Sequence, residues 1–216
     1  MNLVGTGYSE SVVLRWSARI KPALLIPCGV LVGLVLGIIA RAWMRWISTD
    51  PEFSWGGTIG ILAGFVIFFT VHATVLLGRR KGWSRRWLTV ARVMAAILSL
   101  GIFGAAGSQM LPTVLTASLG LARIDWPRFV RRLLIVLSVI IPINLVRDIA
   151  SDFGWNPATV GRIVLFVLIY HVIISVARIT AAPHGDSWRM NRKVRATIWI
   201  LLACLVLFAA LNLQIE

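Results

Sequence analysis

Residues Trp87–Ala122 read WLTVARVMAAILSLGIFGAAGSQMLPTVLTASLGLA. As one straight helix this run would reach about 54 Å, far beyond the roughly 30 Å of hydrocarbon in a bilayer. It carries its own interruption, Gly104-Ala105-Ala106-Gly107-Ser108, followed by Pro112. Glycine weakens a helix, serine caps a new one, and proline is harmless in a first turn, where its missing N–H has no acceptor. The run therefore reads either as two short spans, Trp87–Ala106 and Gln109–Ile124, or as one span followed by a re-entrant piece.

On either side the chain is equally apolar. Runs long enough to cross a membrane are Ala23–Trp43, Thr58–Gly78, Leu133–Ile149, Ala158–Ala177 and Ala196–Leu213. They are apolar all round, as helices in lipid are, and lack the alternation of a β-barrel. Of the 216 residues 58% are hydrophobic and only 14% charged, with a mean hydropathy of +0.86. A soluble core of this size could not hide that much apolar surface. Cys28 and Cys204 both fall inside apolar runs, which excludes a disulfide framework. The first run continues into Arg41 and Arg45, not into a small-residue cleavage site, which argues against a signal peptide.

Charge decides how Trp87–Ala122 is divided. The net charge of +14 comes mainly from four groups: Arg15/Arg19/Lys21, Arg79/Arg80/Lys81/Arg85/Arg86, Arg123/Arg128/Arg131/Arg132 and Arg189/Arg192/Lys193/Arg195. Cytoplasmic loops are rich in Lys and Arg. Six spans put the last two groups outside, whereas splitting the run puts all four inside. The second piece is then thin, about 24 Å, which tilt and local bilayer thinning accommodate. The expectation is an all-α multi-pass transmembrane bundle of seven spans, with six spans and a re-entrant segment as the alternative. Residues 1–21 form a cytoplasmic N-terminal segment, either an interfacial helix or a basic tail, and residues 22–216 form one transmembrane domain. The inside then carries 18 basic against 3 acidic residues and the outside 4 against 5. Anionic inner-leaflet lipid is the partner this asymmetry calls for, and no nucleic acid is needed to explain it.

Candidate functional residues fall into three sets. Gly29, Gly33 and Gly37 lie on one face of the first span, and Gly56, Gly60 and Gly64 on one face of the second. Such spacing lets helix backbones approach closely, and Gly37 and Gly64 sit at similar depth, so close antiparallel packing of the two helices is expected in the outer half. An external set comprises Arg41, Arg45, Asp50 and Glu52 after the first span, with Arg147, Asp148, Asp152 and Arg162 between the fifth and sixth. These either cap and pair helix ends, with Trp43, Trp46 and Trp55 as an aromatic belt, or enclose one outward pocket. An intramembrane set is His72, Arg92 and His171, each about 8–10 Å from the inner edge. Ionisable groups at depth are costly and mark either interhelical bonding or an ion path.

The stretch Arg41-Ala-Trp-Met-Arg45 through Asp50-Pro-Glu-Phe-Ser-Trp55 resembles a signature of uncharacterised actinobacterial multi-pass membrane proteins, and Asp125-Trp126-Pro127 and Asp186-Ser187-Trp188-Arg189-Met190 are similar to later segments of that group. The resemblance implies a bacterial membrane protein of this architecture and carries no activity. The excess of arginine over lysine fits a GC-rich genome.

No phosphate-binding loop or His-Glu-x-x-His zinc motif is present, no acidic residue sits at the predicted midplane, and no inverted repeat is visible. No catalytic residue, metal ligand set or cofactor is therefore expected, and the balance leans away from an enzyme. Two functions remain. One is a membrane-embedded interaction, regulatory or accessory protein, forming a homo-oligomer or packing on a partner subunit in the cell membrane with its N-terminus cytoplasmic. The other is a small-solute or ion transporter or channel with an external charged vestibule.

Overall fold

A computed structural model of the protein describes residues 20–49 and 53–183. The chain divides into a unit Met1–Ala182 and a unit Pro183–Glu216, and every described helix belongs to the first. The interfacial segment, Asp50, Glu52, the last basic group, Cys204 and the span Ala196–Leu213 lie outside the described residues.

There are six helices among the described residues: α1 (Leu25–Ile47), α2 (Trp55–Arg80), α3 (Arg85–Ala106), α4 (Leu111–Ala122), α5 (Arg128–Phe153) and α6 (Pro157–Ala181). All but α4 are long and apolar enough to cross a membrane, with mean hydropathy from 1.7 to 2.7. The protein is a multi-pass membrane protein built of helices.

The division of the long run falls where the glycines put it. Helix α3 stops at Ala106, and Gly107 takes φ of +109°, a region that L side chains rarely adopt. The chain continues through a 3-10 turn, Ser108–Met110, and Pro112 occupies the first turn of α4. Ser108 does not cap α4 through its side chain; it opens the 3-10 turn instead. Helix α5 runs through Pro142 without ending.

Hydrogen bonds between helix ends show which ends share a level. At one end, Arg80 donates to the Ile20 carbonyl (2.8 Å), Arg79 to that of Ala182, and Arg92 to that of Thr180 (2.7 Å). The start of α1 thereby meets the end of α2, the start of α3 and the end of α6. Lys81, Arg85 and Arg86 lie in the same turn, so this is the basic end. At the far end, Trp43 donates to the Arg162 carbonyl (2.8 Å) and Arg162 to that of Trp46 (3.0 Å), joining the end of α1 to the start of α6. Phe153, the last residue of α5, lies beneath the Arg162 guanidinium, 3.8 Å from carbon to ring centroid.

Helices α1 and α2 pack along their length. A Cβ on Gly29 would stand 2.9 Å from the Ala73 Cβ, one on Gly33 2.8 Å from the Phe65 carbonyl and the Val66 Cα, and one on Gly37 3.2 Å from Phe65 and Leu62. The first glycine stripe therefore lies against the α2 backbone at Phe65, Val66 and Phe69 and against the Ala73 side chain. It does not meet the second stripe. Gly64 faces α3, its Cβ position 3.2 Å from the Ile102 Cα, while Gly60 meets nothing within 4 Å and Gly56 only Ser54 of its own cap. The α1 glycines thus approach the backbone of α2, while Gly64 lies on the side of α2 that faces α3.

Helix α2 ends in a Schellman motif. Trp83 N–H reaches the Gly78 carbonyl (2.9 Å), Gly82 N–H that of Arg79 (3.3 Å), and Gly82 adopts φ of +66°. Helices α4 and α5 form a second hairpin, and α6 packs against α4 and also touches α2, α1 and α5. The buried core runs through Trp43, Phe65, Phe68, Ile102, Phe166 and Ile173.

Candidate functional site

The external set does not form one cluster among the described residues. Arg41 and Arg45 sit a turn apart on the side of α1 that faces the start of α2. Arg41 Nε donates to the Thr58 hydroxyl (3.1 Å), which itself donates to the Ser54 carbonyl (2.9 Å). Ser54 caps α2 by accepting from Gly57 N–H (3.1 Å), and Arg45 stands over the Phe53 ring at 5.5 Å. Arg162 is on a different face of α1. Its guanidinium covers Phe153 and the Trp46 ring (5.5 Å), and Gly161 beside it leaves room for the edge of Trp46, 3.0 Å from where a Cβ would stand.

The arrangement ties four helix ends together. The last carbonyls of a helix lack intrahelical donors, and Arg162 satisfies that of Trp46 with a charged donor that the helix dipole also favours. Arg147, Asp148 and Asp152 stand apart: all three are exposed on the last third of α5 and make no ion pair among the described residues. Trp46 and Trp55 are exposed as an aromatic belt requires, but Trp43 is buried and stacks on Phe166 with ring centroids 5.6 Å apart. Its place in a belt is corrected: position 43 turns toward α6, where the indole N–H has a carbonyl to meet.

The intramembrane set separates likewise. His72 is buried, with Nδ1 2.8 Å from the Phe68 carbonyl oxygen and its ring 4.3 Å from the Phe68 ring. A carbonyl only accepts, so Nδ1 carries the proton. His171, by contrast, is exposed on α6, on the stripe that also exposes Val160, Val164 and Leu168. Arg92 turns to the end of α6, where Nε meets the Thr180 carbonyl (2.7 Å) and Nη2 that of Ala181 (3.5 Å). With Arg79 on Ala182, the arginines of the basic end supply donors to the carbonyls that α6 leaves open.

One polar cluster stood out less in the sequence. In the turn between α4 and α5, Arg123 and Asp125 pair at 3.1 Å with each side chain 10% exposed, and the Arg123 guanidinium lies 5.2 Å from the Trp126 ring. Arg131 adds a hydrogen bond from Nε to the Gly120 carbonyl (3.1 Å). The signal was available: Asp125 is the lone acid within a basic loop, between Arg123 and Trp126-Pro127.

The crevice between α1, α2, α3 and α6 is lined by Trp43, Phe65, Ile102, Phe103, Tyr170 and Ile173. It is apolar and narrow, with room for about one water molecule and none for a solute. Among the described residues no three His, Cys, Asp or Glu side chains converge as a metal site would need. Comparison with protein-family models, with curated proteins and with solved structures finds no match for this chain.

Proposed function

We propose that this protein works by packing against another membrane protein or a second copy of itself, as an interaction, regulatory or accessory component without catalysis of its own. The observation that carries this reading is His171. It stands exposed on α6, about 15 Å from the last residue of that helix, on an otherwise apolar stripe. A polar group facing hydrocarbon is costly, and a hydrogen-bonding helix laid over the stripe removes the cost. Gly60, Gly101 and Gly104, with open space where a Cβ would stand, offer further places of close approach.

The transport alternative needs outer and inner polar groups along one cavity. Arg41, Arg162, His72 and Arg92 each bond elsewhere, which favours the interaction reading.

In the membrane, the basic end faces the cytoplasm and its anionic lipid, α4 is a short crossing, and Ala196–Leu213 makes the seventh span of a chain with a cytoplasmic N-terminus. Kinship with the uncharacterised actinobacterial proteins belongs with this reading and adds no activity to it. Reporters fused at Lys81, Asp125 and Ser187 are expected on the cytoplasmic side, and an external signal at Ser187 sinks the topology. In mild detergent or nanodiscs the protein is expected as an oligomer or complex that His171→Leu weakens. A monodisperse monomer without a partner rejects the interaction reading.

A further inference from the structure

The cations at the basic end divide into two kinds. Arg79, Arg80 and Arg92 donate to carbonyls at helix ends, Arg131 donates to that of Gly120, and Arg123 pairs with Asp125. Lys81, Arg85, Arg86, Arg128 and Arg132 are exposed and make neither ion pair nor side-chain hydrogen bond among the described residues. Asp125 is the one acid among the described residues at that end, and its side chain, 10% exposed, is committed to Arg123. These exposed charges are left to be met from outside the described chain.

Two of them converge. Arg128 and Arg132 stand one turn apart on one face at the start of α5, with Cβ atoms about 6 Å from each other. Like charges so placed repel within the helix, and a phosphate between them turns the repulsion into charge-assisted hydrogen bonds. Arg85 and Arg86 are neighbours in α3 and leave the helix about 100° apart, so they do not meet on one anion. Beyond Arg132 the same face of α5 continues with Val136, Val139, Ile140 and Ile143, all exposed. From Arg132 to Ile143 the rise is about 17 Å, close to half of a roughly 30 Å hydrocarbon core. A cationic fork at the head of one leaflet's depth of bare apolar surface matches both halves of a phospholipid.

We propose that Arg128 and Arg132 hold the phosphate of one anionic phospholipid, whose acyl chain lies along Val136, Ile140 and Ile143. The occupant is a lipid and not a soluble anion, because the pair heads an exposed apolar stripe on a membrane-spanning helix. It is anionic and not zwitterionic, because among the described residues no exposed acid stands beside the pair to receive an amine. The proposal rests on the reading that the basic end meets anionic lipid and narrows it to one pair of side chains. It is separate from the oligomer that His171 is read to support.

The test titrates the full chain, in mild detergent, with phosphatidylglycerol or with phosphatidylcholine of the same acyl chains, and counts bound lipid by native mass spectrometry. The first phosphatidylglycerol should bind at least about tenfold tighter than phosphatidylcholine. Arg128→Gln/Arg132→Gln should bring that ratio below about threefold. Arg85→Gln/Arg86→Gln removes the same charge from the same end and should leave the ratio within about twofold. All four positions are exposed, so neither variant threatens folding, and an unchanged melting temperature checks this. Equal losses in the two double variants overturn the seat and leave only diffuse attraction of the basic end. No preference in the unaltered protein overturns the seat and the attraction together. Displacement of the bound lipid by glycerol phosphate as readily as by phosphatidylglycerol also overturns the seat, since the apolar stripe would then contribute nothing. The same spectra show monomer or oligomer, so the interaction reading succeeds or fails independently.

Discussion

The α1–α2 hairpin and the α4–α5 hairpin each pack two antiparallel helices, by different means. In the first, three glycines spaced at four residues bring α1 onto the backbone of α2 over about 12 Å. In the second, close approach happens at a single glycine, Gly120, and the turn is held by a buried ion pair, Arg123 with Asp125, and by Arg131 on the Gly120 carbonyl. The first hairpin is tall and its stability comes from dispersion, which is spread over many contacts. The second is short, and charged side chains bind its turn beside the apolar packing of Ala117, Val130 and Leu134. Distributed packing tolerates the loss of any one contact, whereas a buried charge tolerates poorly the loss of its partner.

The largest expected effect therefore belongs to the short hairpin. Asp125→Asn removes the carboxylate that pairs with the Arg123 guanidinium and should cost about 3 kcal/mol in reversible unfolding in detergent. The double variant Arg123→Met/Asp125→Leu should recover most of it. A cost for Asp125→Asn below about 1 kcal/mol would show the turn to be wet, and the contrast with α1–α2 would fail.

Next comes Gly33→Ala. The new methyl meets backbone atoms at 2.8 Å that cannot swing aside, so the helices must part, at about 1–3 kcal/mol by the same measurement. Arg162→Ala removes a charged hydrogen bond and two ring contacts that join the two sides of the molecule, for about 1–2 kcal/mol. Thermal melting should show it, together with faster proteolysis at the far end. The smallest effect is Gly60→Ala, which should change the stability of the isolated protein by less than about 0.5 kcal/mol, since nothing lies within 4 Å. If Gly60→Ala weakens an oligomer without changing the protomer, that face is used between chains.

Much of the architecture could be read from residue order. The break inside Trp87–Ala122 followed from its length and from Gly104, Gly107 and Pro112, and the chain parts within that stretch. The glycine stripe of α1 was legible because its period is local to one helix. Its partner was not, since which face of α2 meets α1 depends on how α2 is rotated against both neighbours. The same limit separated His72 from His171. Equal depth follows from counting residues along each helix, but direction follows from packing, and packing buries one imidazole and exposes the other. Arg41, Arg45 and Arg162 looked like one group because they share a level; they sit on different sides of α1.

The sequence by itself determined that the chain is helical, that it belongs in a membrane, and where its long central run divides, because hydropathy, helical rise and backbone preferences act within a few turns of chain. Only the tertiary structure decided which arginines cap which helix ends, and which glycines are filled and which stand open. Those properties depend on the mutual rotation and height of helices distant in sequence, which side-chain packing alone sets.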